Sequence, residues 1–240
     1  MCTFNSLQEE ELNMTMQVAM VSKDGFVIAS DTKASAGGDS VKPFSKDYRK
    51  YRSAETRKIV VSSDNTLVCA FSGNQIVSNV AHRLIRSVNE NPGVDMSGCL
   101  EDKLQDLFAT FDDNIQSATK GNLIVAFPAL TGKLWDASFG GGAVCCQETF
   151  DCVIGGDFAN SAIYFAQEYH SINRSVDELT MLAAHTVIES GLRNPTMVGG
   201  LDVLVSKNRE KARFLEEDEL QLLLRRSSEI HDALSNAIFR

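Results

Sequence analysis

The segment from residue 15 to residue 29 constrains the fold most, because it predicts two strands that fold back on each other. Its first half alternates, with apolar Val18 and Met20 separated by single residues, as in a β-strand. A Lys-Asp-Gly turn follows, and the second half is an apolar return strand. The hairpin therefore brings its far end, which Asp31 follows, back beside Thr15.

The rest of the chain alternates between groups of strands and pairs of helices. This order predicts a sheet-rich core covered by paired helices, which is the four-layer αββα sandwich of the α+β class. A polar stretch at 33–56 is expected to be a long loop. Strands are predicted at 58–62, 66–71, 122–129, 134–138, 143–146, 152–154, 201–206 and 212–215. Helices are predicted between Asn74 and Asn91, over 96–118, 158–169 and 176–190, and from 217. Asn74 is the expected cap of the first helix, and Ser175 with Glu178 is the expected capping box of the helix at 176–190.

Composition limits both the domain count and the classes of partner. The chain has 240 residues, of which 43% are hydrophobic, so 15–240 is expected to form a single domain. A net charge of −9 argues against a nucleic-acid surface. No apolar run has the length of a signal peptide or a membrane span, which predicts a cytoplasmic protein with no membrane contact. The cysteines and histidines lack ligand spacing, so no metal and no cofactor is implied.

Four features of the sequence combine in one pattern: Thr15, DGFVIASDTKASAG at 24–37, RKIV at 57–60 and AFSGNQ at 70–75. Together they resemble the motifs of the proteasome β-subunit family of N-terminal-nucleophile hydrolases. The resemblance extends over nearly the whole chain after the first fourteen residues. It implies the same proteasome-subunit-like sandwich and a threonine-type endopeptidase that hydrolyses peptide bonds in protein or peptide substrates.

The resemblance implies a catalytic site built from Thr15, Asp31, Lys58 and Gly73. Thr15 Oγ would attack a peptide carbonyl, and its own α-amine, if free, would accept the proton, since the pKa of a terminal amine is about 7.7–8.0. Lys58 would favour the deprotonated nucleophile, and Asp31 would hold Lys58 in place. The backbone N–H of Gly73, at a turn into a helix, would donate to the oxyanion.

Two further residues are expected to contact the substrate. Ser35 lies shortly after Asp31 within the matching segment. Phe71 comes just before the Gly73 turn, where it would line the pocket for the side chain that precedes the cleaved bond. The substrate-binding prediction therefore consists of Ser35 and Phe71.

The sequence departs from the family pattern at two places that normally support the terminal amine. Active members carry a serine in a Gly-Ser-Gly turn, and an aspartate and a serine before a Gly-Gly pair. This chain has Ile-Gly-Gly-Asp at 154–157 and Asn-Pro-Thr-Met-Val-Gly-Gly at 194–200. Asp157 and Thr196 are the candidates for substitute supporting groups.

The residue before Thr15 is Met14, where family propeptides usually end in glycine. Residues 1–14 are therefore a leader, a propeptide or a mis-assigned start. If translation begins at Met14, removal of that methionine exposes Thr15. If the leader stays attached, the nitrogen of Thr15 is an amide and cannot act as the base.

Three functions remain open at this stage. The first is a threonine peptidase that works in a homo-oligomer, a ring or a related assembly. The second is a non-catalytic assembly subunit with the same fold, and the third is an amidase or transferase with a non-proteolytic substrate. The sequence leaves open whether an ATPase partner feeds substrate to the assembly.

Overall fold

The computed structural model describes residues 15–32, 57–130, 132–156, 161–193 and 198–238. The strands are β1 Gln17–Ser22, β2 Gly25–Ser30, β3 Ile59–Val61, β4 Val68–Gly73, β5 Gly121–Ala126, β6 Leu134–Gly140, β7 Ala143–Thr149, β8 Cys152–Gly155, β9 Asp202–Lys207 and β10 Arg213–Phe214. The helices are α1 Gln75–Glu90, α2 Leu100–Phe108, α3 Asp113–Ala118, α4 Ser161–Tyr169, α5 Val176–Arg193 and α6 Glu217–Ile238.

The strands form two antiparallel sheets of five strands each. The first sheet has the order β10-β9-β2-β1-β8, and the second has the order β3-β4-β5-β6-β7. In the first sheet, β9 and β8 flank the β1–β2 hairpin although they follow it by more than a hundred residues. The predicted combination of hairpins, antiparallel sheets and helices is confirmed.

Apolar side chains gather in three clusters. One contains residues of β1, β2 and β9 with residues of α4, α5 and α6. Another contains residues of β4, β5 and β6 with residues of α1 and α2. The third contains residues of both sheets, among them Ala19 and Ile28 of the first and Ala70 and Ile124 of the second. Successive residues of a strand therefore enter different clusters, as the two-residue period of a strand requires.

The predicted helix over 96–118 is wrong as a single element. The structure has a 3₁₀ turn at Ser97–Cys99, then α2, and then the separate helix α3. Asp112 breaks the run because its side chain accepts a hydrogen bond from Asn114 N at 2.9 Å and caps α3. Aspartate and asparagine side chains can bind backbone N–H groups in place of a helical hydrogen bond, and so end a helix. The spacing of apolar residues does not reveal such a break.

The predicted caps of two other helices are confirmed. Asn74 Oδ1 accepts a hydrogen bond from Ile76 N at 3.2 Å at the start of α1. Before α5, Ser175 N donates to Glu178 Oε2 at 2.8 Å, and Glu178 N donates to Ser175 Oγ at 3.4 Å. This reciprocal pair is a capping box.

Some predictions concern residues whose positions are not described. The leader at 1–14, the loop at 33–56 and the first residues of the helix predicted at 158–169 are among them. None of the helices within the described ranges is long and apolar enough to cross a membrane. Those ranges also hold no group of three or more His, Cys, Asp or Glu residues placed to bind a metal ion.

Candidate active site

The β1–β2 hairpin places Asp31 beside the residue that follows Thr15. The last ladder pair is Gln17 with Ser30. Beyond it, Asp31 N donates to Met16 O at 3.0 Å, and Met16 N donates to the side-chain oxygen Asp31 Oδ1 at 2.9 Å. The carboxylate therefore takes the place of a ladder carbonyl. Its position is fixed by the backbone next to Thr15.

Lys58 forms an ion pair with Asp31 and connects the two sheets. Its Nζ lies 2.9 Å from Asp31 Oδ1 and 3.0 Å from Asp31 Oδ2. Lys58 immediately precedes β3 of the second sheet, and Phe71 N of β4 donates to its carbonyl at 3.0 Å. Both members of the pair are buried, with Lys58 8% exposed and Asp31 0% exposed. Their catalytic roles stay predictions.

Thr15 is buried, and a glycine-containing segment packs directly on its backbone. β8 runs beside β1, with Gly155 opposite Gln17. The next residue, Gly156, has a φ of +120°, and a Cβ there would lie 1.8 Å from Thr15 O. Only glycine fits such a close approach at this backbone conformation. Neither residue 155 nor residue 156 therefore offers a side chain to Thr15.

Gly73 lies at the junction between β4 and α1, directly before the cap residue Asn74. Its φ is +101°, and a Cβ there would lie 2.3 Å from Lys120 O. Glycine is therefore required by the fold at this position, whatever else the residue does. Its predicted role as an oxyanion donor stays a prediction.

Phe71 lies on the face of β4 that packs toward α1. It belongs to the partly buried residues of the cluster between the second sheet and its helices. Its ring centroid is 5.7 Å from that of His82. The other predicted site residues, Ser35, Asp157 and Thr196, lie outside the described residues.

A row of small and polar residues crosses the first sheet next to Thr15. Strand pairing connects Gly155, Gln17, Ser30 and Asp202 in this order. Gln17 and Ser30 are 0% exposed, and Asp202 is 1% exposed. Arg57 Nε lies 3.6 Å from Asp202 Oδ2. These four residues, which we name the first row, form a buried polar strip at one end of the sheet.

A second row crosses the second sheet and consists of Ser72, Asn122 and Ser138. Asn122 Nδ2 donates to Ser138 Oγ at 3.1 Å and to Asp136 Oδ1 at 3.3 Å. Burial raises the pKa of Asp136, although the Asn122 bond acts in the opposite direction. A Cβ on Gly155 would lie 3.1 Å from Ser72 Oγ, so the two rows meet between the sheets.

Neither row was predicted from the sequence. A signal for the first row was present, because Gln17 is a polar residue at the start of a strand whose next residues, Val18, Ala19 and Met20, are all buried and apolar. A polar side chain in such a position is the exception in a strand core. The row itself could not be assembled without the pairing of β1 with β8 and of β2 with β9.

The fold is similar to two solved structures of Anbu proteins. Anbu (ancestral beta-subunit) from Yersinia bercovieri matches with a TM-score of 0.67 and 16% identity, over 93% of this chain and 96% of that chain. An Anbu (Gly-1) mutant from Hyphomicrobium sp. strain MC1 matches with a TM-score of 0.66 and 17% identity, over the same shares. No family model matches the chain, and neither does any curated protein.

The assignment to the proteasome β-subunit family is therefore wrong. The two structures described above are Anbu proteins, which are proteasome-like in name and form a distinct family. The motifs misled because separate families can share one fold. At 16% and 17% identity, the likeness shows a shared fold alone.

Proposed function

We propose that the chain is a threonine-type amide-bond hydrolase whose nucleophile is Thr15. The observation that carries this proposal is the buried Asp31–Lys58 ion pair, whose carboxylate also binds Met16 N. Taking two charges out of water costs free energy that an apolar pair would not cost. Buried charges beside a hydroxyl nucleophile are therefore a candidate functional arrangement.

The chemistry requires that residues 1–14 are absent, so that Thr15 has a free α-amine. The amine takes the proton from Thr15 Oγ while Oγ attacks the carbonyl carbon of the substrate. Lys58 favours the deprotonated nucleophile, and Asp31 holds Lys58. The Gly73 N–H donates to the oxyanion; loss of one such donor typically costs about 2.7–4 kcal/mol. Collapse breaks the C–N bond, the protonated α-amine gives its proton to the leaving amine, and water then hydrolyses the ester on Thr15.

The proposal extends to the architecture and the substrate. Residues 15–240 form one domain, and the two sheets with their helices form a four-layer αββα sandwich, which the three apolar clusters support. Copies of the chain assemble into a ring or a related homo-oligomer that encloses the sites, and the substrate is a peptide or a protein. Light scattering of the native protein is expected to give a mass several times that of one chain of residues 15–240. A monomer would contradict this part.

The decisive experiment identifies the N-terminus of the native protein by mass spectrometry. We expect Thr15 as the first residue and a covalent β-lactone adduct on it. Thr15→Ala is expected to abolish peptide hydrolysis and the adduct, whereas Thr15→Ser keeps a hydroxyl nucleophile and retains part of both. A native assembly in which residues 1–14 are intact contradicts the proposal.

A non-catalytic assembly subunit is the second candidate. It is favoured by the glycines at 155 and 156, which offer no hydroxyl of their own to Thr15, and by the fold likeness to a protein named as an ancestral beta-subunit. This function predicts a retained leader and no adduct with a β-lactone or an epoxyketone. An amidase or transferase would instead form the adduct but cleave no peptide, which substrate profiling would reveal.

A further inference from the structure

Gln17 is fully buried, and its side-chain amide has no hydrogen-bond partner among the described residues. It is 0% exposed, and within the described part of the chain neither Nε2 nor Oε1 forms a hydrogen bond. Nearly all buried polar atoms in folded proteins are hydrogen-bonded, because an unpaired one keeps its full desolvation cost. A group that formed a hydrogen bond with the Gln17 amide would offset this desolvation cost.

Gln17 is the first residue of β1, and Thr15 lies two residues before it, where the Asp31 N to Met16 O hydrogen bond continues the pairing of β1 with β2. Side chains two residues apart on a strand point to the same side, and their Cα atoms are about 6.6–6.8 Å apart. The glutamine side chain is long enough to span most of that separation. On its other side is Gly155, where a Cβ would lie 3.7 Å from Gln17 Cβ, so no side chain from β8 competes for the amide.

The oxygens of Asp31, which the hairpin brings beside Thr15, already accept hydrogen bonds. Asp31 Oδ1 accepts from both Met16 N and Lys58 Nζ, and Asp31 Oδ2 accepts from Lys58 Nζ. The Asp31 carbonyl accepts from Ser30 Oγ at 3.1 Å. A free α-amine on Thr15 would bring new N–H donors into this buried region, and Gln17 Oε1 is an acceptor without a donor among the described residues.

We propose that Gln17 is a positioning residue for the Thr15 amine. Gln17 Oε1 accepts a hydrogen bond from one N–H of the free α-amine, and this contact directs the amine's lone pair toward Thr15 Oγ. The proton passes from Thr15 Oγ to the amine, and Gln17 gains and loses none. The inference rests on the proposed function, because it requires the free amine.

The test compares Gln17→Met with Gln17→Glu in the native assembled protein, with a β-lactone as the probe. The rate of adduct formation is followed by intact mass as a function of pH. Methionine keeps the size of glutamine without its amide, so the plateau rate is expected to fall about 10- to 100-fold from misdirection of the base. The acidic limb, which reports the pKa of the amine, is expected to move to lower pH.

The glutamate variant should move the acidic limb in the opposite direction. An ionised carboxylate next to the amine favours the protonated form and raises the pKa of the amine. The other charged groups near the site, Asp31, Lys58, Arg57 and Asp202, are the same in both variants, so a difference between them originates at position 17. Opposite shifts are not expected from a residue that only fills space.

The control is Thr186→Val in α5, where Thr186 Oγ1 donates to Leu182 O at 2.8 Å in another buried region. This variant is expected to keep the pH profile and the plateau rate, and melting temperatures verify that all variants are folded. If the wild-type chain is labelled at Thr15 and both Gln17 variants keep its profile, the role of Gln17 is wrong and the proposed function stands. If the native chain retains residues 1–14 and forms no adduct, the proposed function fails and the role of Gln17 fails with it.

Discussion

The layer between the two sheets has an apolar part and a polar end, and both are built from the same strands. In the apolar part, Val21 and Phe26 of the β1–β2 hairpin pack with Ile124 of the second sheet. At the polar end, the same hairpin contributes Gln17 and Ser30. The four hairpin residues are all at most 2% exposed, so both parts are equally buried from solvent.

The two parts differ in what burial does to stability. Apolar burial contributes about 25 cal/mol for each Å² removed from water. Burial of the Gln17 amide and of the Asp31 and Lys58 charges costs free energy, which hydrogen bonds offset only in part. The apolar part therefore accounts for folding, whereas the polar end has residues that folding alone would not favour. Such local exceptions are typical of functional sites.

The largest expected effect follows from breaking the ion pair at the polar end. Lys58→Met leaves the Asp31 carboxylate buried without its cation, which is expected to lower the free energy of unfolding by about 3–5 kcal/mol. Urea unfolding measures this loss. Adding Asp31→Asn removes the stranded charge, so the double variant should be more stable than Lys58→Met alone.

Lys133→Met is the matched control for this substitution. Lys133 Nζ lies 3.2 Å from Glu148 Oε1, but both side chains are about a third exposed. An exposed pair contributes only about 0–1 kcal/mol, so the control should lose little stability. Equal losses from the two lysines would show that the burial of the Asp31 pair is not what distinguishes it.

The apolar part should respond to loss of volume and leave the chemistry intact. Ile28 is 0% exposed within the cluster shared by the sheets. Ile28→Ala is expected to cost about 2–5 kcal/mol, and Ile28→Val about 0.5–1.5 kcal/mol. Under conditions where both variants are folded, the rate of β-lactone adduct formation should equal that of the parent chain. A large fall in that rate would mean that the apolar part also shapes the site.

Local sequence patterns were sufficient to predict hairpins and helix caps, which form between residues close together in the chain. The hairpin that Thr15 precedes, the strand pair around 63–65, and the caps at Asn74 and Ser175 were all predicted from residues close together in the chain. The ion pair of Asp31 with Lys58, which are 27 residues apart, was instead expected from the family resemblance. Turn chemistry and alternation act over a few residues, which is why they can be read directly.

Features that depend on distant pairing could not be predicted in this way. The first row exists only because β8 pairs with β1 and β9 pairs with β2. The pairing register decides which residues share a face, and the sequence of one strand does not contain it. The family assignment failed for a related reason, since the motifs reported a fold that separate families share.

Substitutions of Gly155 and Gly156 test whether the reaction of Thr15 depends on close packing at the polar end. Gly156→Ala places a Cβ 1.8 Å from Thr15 O at a φ of +120°, so Thr15 must move. We expect a loss of about 1–3 kcal/mol in stability and a slower reaction of Thr15 with the β-lactone. Gly155→Ala has no positive φ, and its nearest contact is Ser72 Oγ at 3.1 Å.

The Gly155 variant is therefore expected to stay within about 1 kcal/mol of the parent chain. Unfolding by urea and the adduct rate are measured for both. Equal effects on stability and rate would mean that the polar end tolerates displacement of Thr15, contrary to a site with fixed geometry.

The smallest expected effect lies at the border between the two parts, where Asp136 pairs with Ile124 in the sheet and accepts a hydrogen bond from Asn122. Burial raises the pKa of this half-buried carboxyl, so the native chain binds the proton more tightly than the unfolded chain. Stability is then lost as the pH rises through the interval between the ordinary pKa, about 3.9, and the raised one.

Asp136→Asn should therefore stabilise the fold at pH 7. The gain should be less than about 1 kcal/mol because solvent screens a half-exposed charge, and it should vanish below pH of about 3.9. The control is Asp106→Asn at an exposed position of α2, which should change the free energy of unfolding by no more than about 0.5 kcal/mol. A loss of stability in Asp136→Asn at pH 7 would mean that the ionised carboxylate contributes to the fold, and the polar end would then extend one row further into the layer.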